Sequence, residues 1–323
     1  MTVRSTIQVP VRGGLMAVGI WDSDDVAGGA APRDVVLALH GITATHQSWP
    51  LVAERLAARA GMRVVAPDLR GRGRSNHLPG PWGMATHAED AASVLASLGA
   101  QRALVIGHSM GGFVAVVFAH RYPHLTSSIV LIDGGLPMSI PPGMSQKQIL
   151  QATLGPAAAR LAMTFESRQA YQEFWRAHPA LGPDWSKLIA QYVDYDLVGE
   201  EPELRSSASH DAVAADSTDL HTGTAFHAAW DALAHDALFL RAPLGLLAEP
   251  PGLYPPAEVK SVTARAPRLH SHEIDGVNHY TITMSELGAD RVAAEVSAML
   301  DASLAASDSP RAQVHGATKA RRF

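Results

Sequence analysis

The sequence predicts an α/β protein built on a doubly wound, mostly parallel sheet. The first observation is a set of short apolar runs without alternation, which is typical of strands buried on both faces. The second is a helical pattern between successive runs. The runs are VVLALH (35–40), RVVAPD (63–68), ALVIGH (103–108) and IVLID (129–133). Strands and helices that alternate in this way predict a parallel sheet with helices on both faces.

Further elements flank this alternating region. Residues 6–22 predict two strands that turn at residues 12–14. Beyond residue 235 the alternation resumes. The predicted elements there are a buried strand LGLLAE (244–249), a helix near 255–266, a strand over 268–275 and a last helix over 285–303.

The domain organisation follows from where the alternation stops. We predict a core of residues 1–135 and 236–303, a helical cap of residues 136–235, and a disordered polar tail of residues 304–323. Nine of the 19 aromatic residues lie in the predicted cap, where they form either its own core or the wall of an apolar pocket. They are Phe165, Tyr171, Phe174, Trp175, Trp185, Tyr192, Tyr195, Phe226 and Trp230.

Composition restricts the classes of function. The net charge of −5 argues against nucleic acid or an anionic membrane as a partner, because both favour a basic surface. No apolar stretch approaches the roughly 20 residues that span a bilayer, and no secretory signal is evident, so we expect a cytoplasmic protein. With no cysteine, no paired metal-ligand spacing and no phosphate-binding loop, we expect neither a metal nor another cofactor.

Ser109 is the candidate nucleophile. It lies in GHSMGG (107–112), between the buried run ALVIGH and a helical pattern. A nucleophile at a sharp strand-to-helix turn takes strained backbone angles, and its close neighbours must lack side chains. Gly107 and Gly111 meet that need, and the helix that follows directs its positive end towards a developing oxyanion. This is the G-x-S-x-G motif in the context that it requires.

With this motif the chain resembles the α/β-hydrolase superfamily, in its serine-nucleophile, cap-bearing form. The resemblance covers about residues 5–303, and three further stretches support it in the superfamily's order. They are LALHGITATHQSW (37–49) with the His-Gly turn, APDLRGRGRS (66–75) with the Asp-x-Arg-Gly-x-Gly-x-Ser loop, and DGVNHYTI (275–282) with the late histidine loop.

His279 is the candidate base among 16 histidines. A serine hydroxyl needs a neighbouring base, and the pKa of histidine lies near neutrality. His279 stands in a loop between the last predicted strand and the last helix, where the resemblance places the catalytic histidine. We expect His108 to be structural, because neighbours on a tight turn point apart, and His40 to shape the oxyanion loop.

The acid is the point at which the chain departs from the commoner superfamily pattern, which places it just after the strand that follows the cap. That position offers Glu249 and no Asp. A known variant places the acid one βαβ unit after the serine, where Asp133 precedes two glycines. The acid holds the tautomer of the histidine and stabilises its charged form. We favour Asp133 and keep Glu249 as the alternative.

The oxyanion hole and a charged loop are assigned by the resemblance. Two backbone N–H groups must point at the developing oxyanion, and the resemblance implies those of Ile42 and Met110. In the loop after the second buried run, Asp68 and Arg70 resemble a structural ion pair. We expect Arg72 and Arg74 to be solvated.

These residues predict a serine hydrolase that cleaves a carboxylic ester or a lactone through an acyl-enzyme. The substrate would be a small molecule, apolar or aromatic. Hydrolysis of a carbon–carbon bond, a thioester or an amide could use the same triad. A small-molecule receptor or sensor on this scaffold is the alternative from another class, since fold alone does not decide function. The oligomeric state stays open, a homodimer included.

Overall fold

A computed structural model describes residues 3–138, 143, 148 and 157–307. Its strands are β1 (Val3–Val11), β2 (Gly14–Asp22), β3 (Asp34–Leu39), β4 (Met62–Pro67), β5 (Ala103–His108), β6 (Thr126–Ile132), β7 (Leu197–Val198), β8 (Arg205–Ser206), β9 (Ala237–Arg241) and β10 (Leu269–Glu273). The helices in the described ranges are α1 (Asp24–Ala27), α2 (Pro50–Ala57), α3 (Met84–Ser97), α4 (Met110–Arg121), α5 (Ala157–Arg160), α6 (Arg168–Arg176), α7 (Lys187–Asp196), α8 (His210–Thr222), α9 (Thr224–Asp231), α10 (Pro256–Thr263), α11 (Thr281–Met284) and α12 (Glu286–Ser307).

The main sheet confirms the predicted fold class. Eight strands lie in the order β1-β2-β4-β3-β5-β6-β9-β10. The β1–β2 and β2–β4 pairs are antiparallel, and every later neighbour is parallel. Strands β3, β5 and β9 are buried along their whole length, because apolar side chains pack against helices on both faces of the sheet. Two separate core clusters occupy these two faces.

The register of the central strands positions the candidate site. Leu39 at the end of β3 pairs with Gly107 of β5, and His108 pairs with Ile132 at the end of β6. Three strands therefore end side by side at one edge, where ligands bind in sheets of this kind.

The predicted strand over 244–249 is wrong. The strand is β9, Ala237–Arg241, whose five residues are all buried and pair with β6 and β10. The apolar runs ALFLR (237–241) and LGLLAE (244–249) stand close together in the sequence. The later run forms turns rather than a strand, with Gly245 N–H donating to the Glu249 carbonyl at 2.9 Å. Leu244 retains a single bridge, to Asn278 of the histidine loop.

Predictions at the two ends of the chain have different outcomes. The two strands predicted within 6–22 are confirmed as β1 and β2, and the strand predicted over 268–275 is confirmed as β10. The last helix reaches Ser307 and so extends into the first four residues of the predicted tail, the rest of which lies outside the described residues.

The segment between β6 and β9, called the connecting segment (residues 133–236), is mainly helical where it is described, and it also holds the short β7–β8 pair that the sequence did not predict. Part of it, including most of 139–156, lies outside the described residues. Phe165, Tyr171 and Trp175 form a core of their own there. Phe226 packs against Phe113 of α4, with ring centroids 4.6 Å apart. The first three aromatic residues therefore stabilise the segment itself, whereas Phe226 attaches it to α4.

Candidate active site

Ser109 occupies a strained turn between β5 and α4. Its φ is 54° and its ψ is −124°, a left-handed value that a residue with a side chain rarely adopts. The backbone on either side holds it there. Ser109 N–H donates to the Ile132 carbonyl at 2.9 Å, and the Ser109 carbonyl accepts from Gly112 N–H at 2.9 Å.

Close backbone packing explains why glycines surround this serine. A Cβ at Gly107 would overlap the carbonyl of Gly111, and one at Gly111 would overlap the carbonyl of Leu39 in β3. A Cβ at Gly134, just after β6, would overlap the carbonyl of Ser109 itself. No flexible side-chain end is available to move aside, so each position requires glycine.

The structure brings His279 and Asp133 together. The Nδ1 atom of His279 lies 2.7 Å from Oδ2 of Asp133, and both side chains are buried. A carboxylate can only accept, so Nδ1 carries the proton and Nε2 is left as the basic nitrogen. The other oxygen of Asp133 accepts from Ala242 N–H at 3.1 Å. His279 N–H donates to the Leu244 carbonyl at 3.0 Å, which fixes the histidine loop.

Asp133 is itself held in an uncommon conformation. Its φ is 45°, and its N–H donates to the Leu240 carbonyl of β9 at 2.8 Å. Among the described residues it is the carboxylate within hydrogen-bond distance of His279. The alternative acid, Glu249, is exposed in the turn after β9, where its carbonyl accepts from Gly245 N–H.

His40 organises the loop after β3, as expected from the sequence. Its Nδ1–H donates to the Gly41 carbonyl at 2.8 Å, and its Nε2 accepts from Leu69 N–H at 2.8 Å. Ala44 N–H donates to the same Gly41 carbonyl at 3.1 Å. The N–H of a trans peptide points opposite to its C=O, so Ile42 N–H faces away from both donors. Burial lowers the pKa of His40 to about 3, which keeps the ring neutral.

Met110 supplies the other candidate N–H group. As the first residue of α4, it carries an amide that the helix itself cannot satisfy, at the positive end of the helix. Ile42 and Met110 are both buried.

His108 contacts His279 rather than pointing away from it. Its Nε2–H donates to the His279 carbonyl at 2.7 Å, and the two rings lie 4.7 Å apart. Burial, and next the neighbouring His279, lower the pKa of His108 well below its usual value. The sequence predicted a structural role but not this contact, which joins residues 171 positions apart.

The loop after β4 differs from expectation at several charged positions. Arg70 does not pair with Asp68; it forms a buried pair with Asp90 of α3, with an Nη2 to Oδ1 distance of 2.7 Å. Asp68 instead lies 2.8 Å from Nδ1 of His46. Arg74 is exposed, as expected.

The expectation that Arg72 is solvated is wrong. Its side chain is 0% exposed and its Nη1 is paired with Asp216 of α8. The carboxylate that neutralises Arg72 lies 144 residues further along the chain, which a local pattern cannot indicate.

A small cavity of about 40 Å³ joins these groups. Its wall is mostly apolar or aromatic away from Ser109, His108 and His279. Its other lining residues are Gly41, Ile42, Thr43, Ala44, Ser48, Tyr192, Leu246, Tyr280 and Met284. A larger groove of about 700 Å³ lies between α9, α10 and the start of β10, and it contains none of the predicted site residues.

Two negative findings apply to the described residues only. They contain no cluster of three or more His, Asp or Glu side chains arranged to hold a metal ion. Among them there is also no helix with the length and apolar character needed to cross a bilayer.

Comparison with known proteins identifies the family. Residues 34–195 match the model of the α/β-hydrolase fold, about half of the chain, and the protein belongs to this family. The uncharacterized protein Rv2715 of Mycobacterium tuberculosis is 35% identical over 106 residues, which cover 33% of this chain and 30% of that protein. The chain thus matches about a third of the length of this curated relative.

Solved structures agree on the fold. E-2-(acetamidomethylene)succinate hydrolase superposes with a TM-score of 0.70 at 21% identity, over 93% of this chain and 100% of that one. The thioesterase domain from the curacin biosynthetic pathway superposes with a TM-score of 0.68 at 21% identity, over 92% and 99% of the two chains. At these identities the likeness concerns the fold alone. Membership of the family supports a hydrolase.

The neutral state of His40 predicts a pH effect on stability. Below pH 6.5 the unfolded chain protonates this ring, whereas the folded protein does not until about pH 3. The folded state therefore loses stability as pH falls through this window. The His40→Gln variant has no ring to titrate at this position. Between pH 7 and pH 5, the free energy of unfolding should therefore decrease by about 2 kcal/mol less in the variant than in the wild type. Urea denaturation at the two pH values measures this difference, and equal losses in both proteins would contradict it.

Proposed function

We propose that the protein is a serine hydrolase that cleaves a carboxylic ester or a lactone through an acyl-enzyme. The observation that carries the proposal is the hydrogen bond of 2.7 Å between His279 and Asp133. It stands beside a serine in a strained turn, and Ser109 and His279 line one cavity. A residue set with nucleophile, base and acid is what acyl transfer requires.

Acylation depends on the nucleophile, the base and the acid together. Nε2 of His279 takes the proton of Ser109 as Oγ attacks the substrate carbonyl, and the carbonyl π electrons move to oxygen. The backbone N–H groups of Ile42 and Met110 stabilise the resulting oxyanion. As the intermediate collapses, the bond from carbon to the leaving oxygen breaks, and His279 gives its proton to that oxygen, so that the product leaves as an alcohol. The Asp133 carboxylate stabilises the imidazolium that exists between these two transfers.

Deacylation repeats the sequence with water. His279 removes a proton from the water as its oxygen attacks the acyl carbon, and it returns that proton to Oγ of Ser109 as the acid departs. A lactone follows the same steps, except that the alcohol remains attached to the acyl group and the product is a hydroxy acid.

The cavity supports an apolar substrate with a small acyl group. Ile42, Leu246 and Met284 contribute aliphatic walls, and Tyr192 and Tyr280 contribute aromatic ones. At about 40 Å³ the cavity is well below the several hundred Å³ of a typical drug-sized site. We therefore take p-nitrophenyl acetate as the first substrate to assay, with thioesters and amides of the same acyl group as the competing classes.

Labelling with a fluorophosphonate tests the activation of Ser109. The wild type should gain one adduct by intact mass, because the reagent needs an activated serine, and Ser109→Ala should gain none. Ser128→Ala serves as the control serine substitution, since Ser128 lies buried in β6 and does not line the cavity.

Either of two outcomes would overturn the proposal. An adduct that persists in Ser109→Ala would place the reactive residue elsewhere. A folded wild type that stays unlabelled and inactive on all three substrate classes would favour a small-molecule receptor on this scaffold.

Substitution of the two candidate acids tests the role of Asp133. Asp133→Asn keeps the shape of the side chain but replaces the charged carboxylate with a neutral amide, which no longer fixes the proton on Nδ1 of His279. We therefore expect kcat to fall on the order of 10³- to 10⁴-fold. Glu249→Gln should change kcat by less than about threefold, because Glu249 is not the carboxylate that holds the His279 ring. The reverse ranking, measured as kcat on p-nitrophenyl acetate, would assign the acid to Glu249.

A further inference from the structure

Arg72 lies between the oxyanion loop and the connecting segment. Its Nε–H donates to the Ile42 carbonyl at 2.8 Å, and its Nη1–H donates to the Arg70 carbonyl at 2.8 Å. The same Nη1 is paired with Asp216 on α8. One rigid guanidinium thus links the residue that offers the oxyanion N–H with a helix of the connecting segment.

Asp216 is held in place independently of Arg72. Its Oδ2 lies 2.9 Å from Nε2 of His87 on α3, and its Oδ1 accepts from Gly83 N–H at 2.6 Å. Burial would raise the pKa of this carboxyl, but His87 and Arg72 hold it at about 2. The carboxylate is therefore a charged anchor for the guanidinium.

The contact on Ile42 determines how its peptide can turn. The peptide before Ile42 is oriented through the Gly41 carbonyl, which accepts from His40 and from Ala44 N–H. The peptide after Ile42 is oriented through the carbonyl that Arg72 binds. The Ile42 N–H belongs to the first of these two planes. Because φ and ψ of Ile42 join the planes, the contact with Arg72 restrains rotation between them and supports the direction of the N–H from the other side.

A second buried pair on the same loop gives a comparison. Arg70 and Asp90 are as deeply buried as Arg72 and Asp216. The other acceptors of Arg70 are the carbonyls of Pro79 and Arg12, and neither belongs to the oxyanion loop. The first pair holds the loop against α3, and the second holds it against α8. Of the two arginines, Arg72 alone also contacts Ile42.

We infer that Arg72 is a positioning residue for the oxyanion hole, and that Asp216 couples the hole to α8 of the connecting segment. The inference rests on the proposed function for its effect on catalysis. Its structural part, that Arg72 orders residues 40–45, does not depend on the reaction.

Paired variants separate positioning from general stability. Arg72→Met with Asp216→Asn removes both charges while roughly keeping side-chain volume, so that no buried charge is left alone beside its former partner. Arg70→Met with Asp90→Asn does the same to the comparison pair. Two readouts apply to each: hydrogen–deuterium exchange of residues 40–45, and the rate of fluorophosphonate labelling, each measured where both variants are folded by circular dichroism.

The expected results differ between the two pairs. Loss of Arg72 and Asp216 should raise exchange in residues 40–45 and slow labelling on the order of 10- to 100-fold, because an oxyanion donor is then poorly aimed. With p-nitrophenyl acetate as substrate, this variant should have a lower kcat and an unchanged KM. Loss of Arg70 and Asp90 should leave exchange in 40–45 unchanged and labelling within about threefold of wild type.

Several outcomes are informative. If wild type is labelled and the Arg72 pair variant is labelled as fast, or both pairs slow labelling equally, the inference is overturned and the proposed function stands. If wild type is neither labelled nor active on any of the three substrate classes, the proposed function fails, and exchange alone decides whether Arg72 orders the loop.

A third variant covers failure of the Arg72 pair variant to fold. Arg72→Lys keeps the charge beside Asp216, but its single nitrogen cannot also hold the carbonyls of Ile42 and Arg70 in the same geometry. It should show the same changes in kcat and exchange to a smaller degree. Wild-type values for both would overturn the inference.

Discussion

The contact of three backbone segments without intervening side chains is the constraint on which the site depends. The end of β3, the turn at Ser109 and the turn after β6 approach so closely that Gly107, Gly111 and Gly134 cannot carry a Cβ. This contact sets the strained angles of Ser109, and it brings the ends of β3, β5 and β6 to one edge of the sheet. A parallel sheet with this register then brings the loop after His40, Ser109 and Asp133 to one place, each from a different strand.

Buried polar contacts between distant parts of the chain complete this arrangement. His279 reaches Asp133 across 146 positions, and His108 reaches the His279 carbonyl across 171. These contacts compensate much of the cost of burying polar groups in a dry interior. A further buried contact connects the loop after β3 through Arg72 to α8, so the connecting segment is attached to this region by a charge pair as well as by apolar packing.

Local patterns were sufficient for the central sheet, because strands buried on both faces and a glycine-flanked serine leave direct marks in the sequence. The motif at 107–112 and the loop with His279 are of this kind. The pattern failed where two apolar runs competed: ALFLR pairs with β6 and β10, whereas LGLLAE turns, and pairing partners are not visible locally. It failed also at Arg72, whose burial depends on Asp216, and at the β7–β8 pair of two residues per strand. The sequence left Asp133 and Glu249 open as candidate acids, because it does not indicate which carboxylate lies beside the His279 ring; in the structure Asp133 does.

A double-mutant cycle would show whether Ser109 and His279 act as one unit, as the proposed function requires. The measured quantity is kcat/KM on p-nitrophenyl acetate for Ser109→Ala, for His279→Ala and for the variant that carries both. Groups that work in a single proton transfer are strongly non-additive. We expect each single variant to lose nearly all of the activity and the double variant to lose no more than either. Losses that multiply in the double variant would show instead that the two residues act independently.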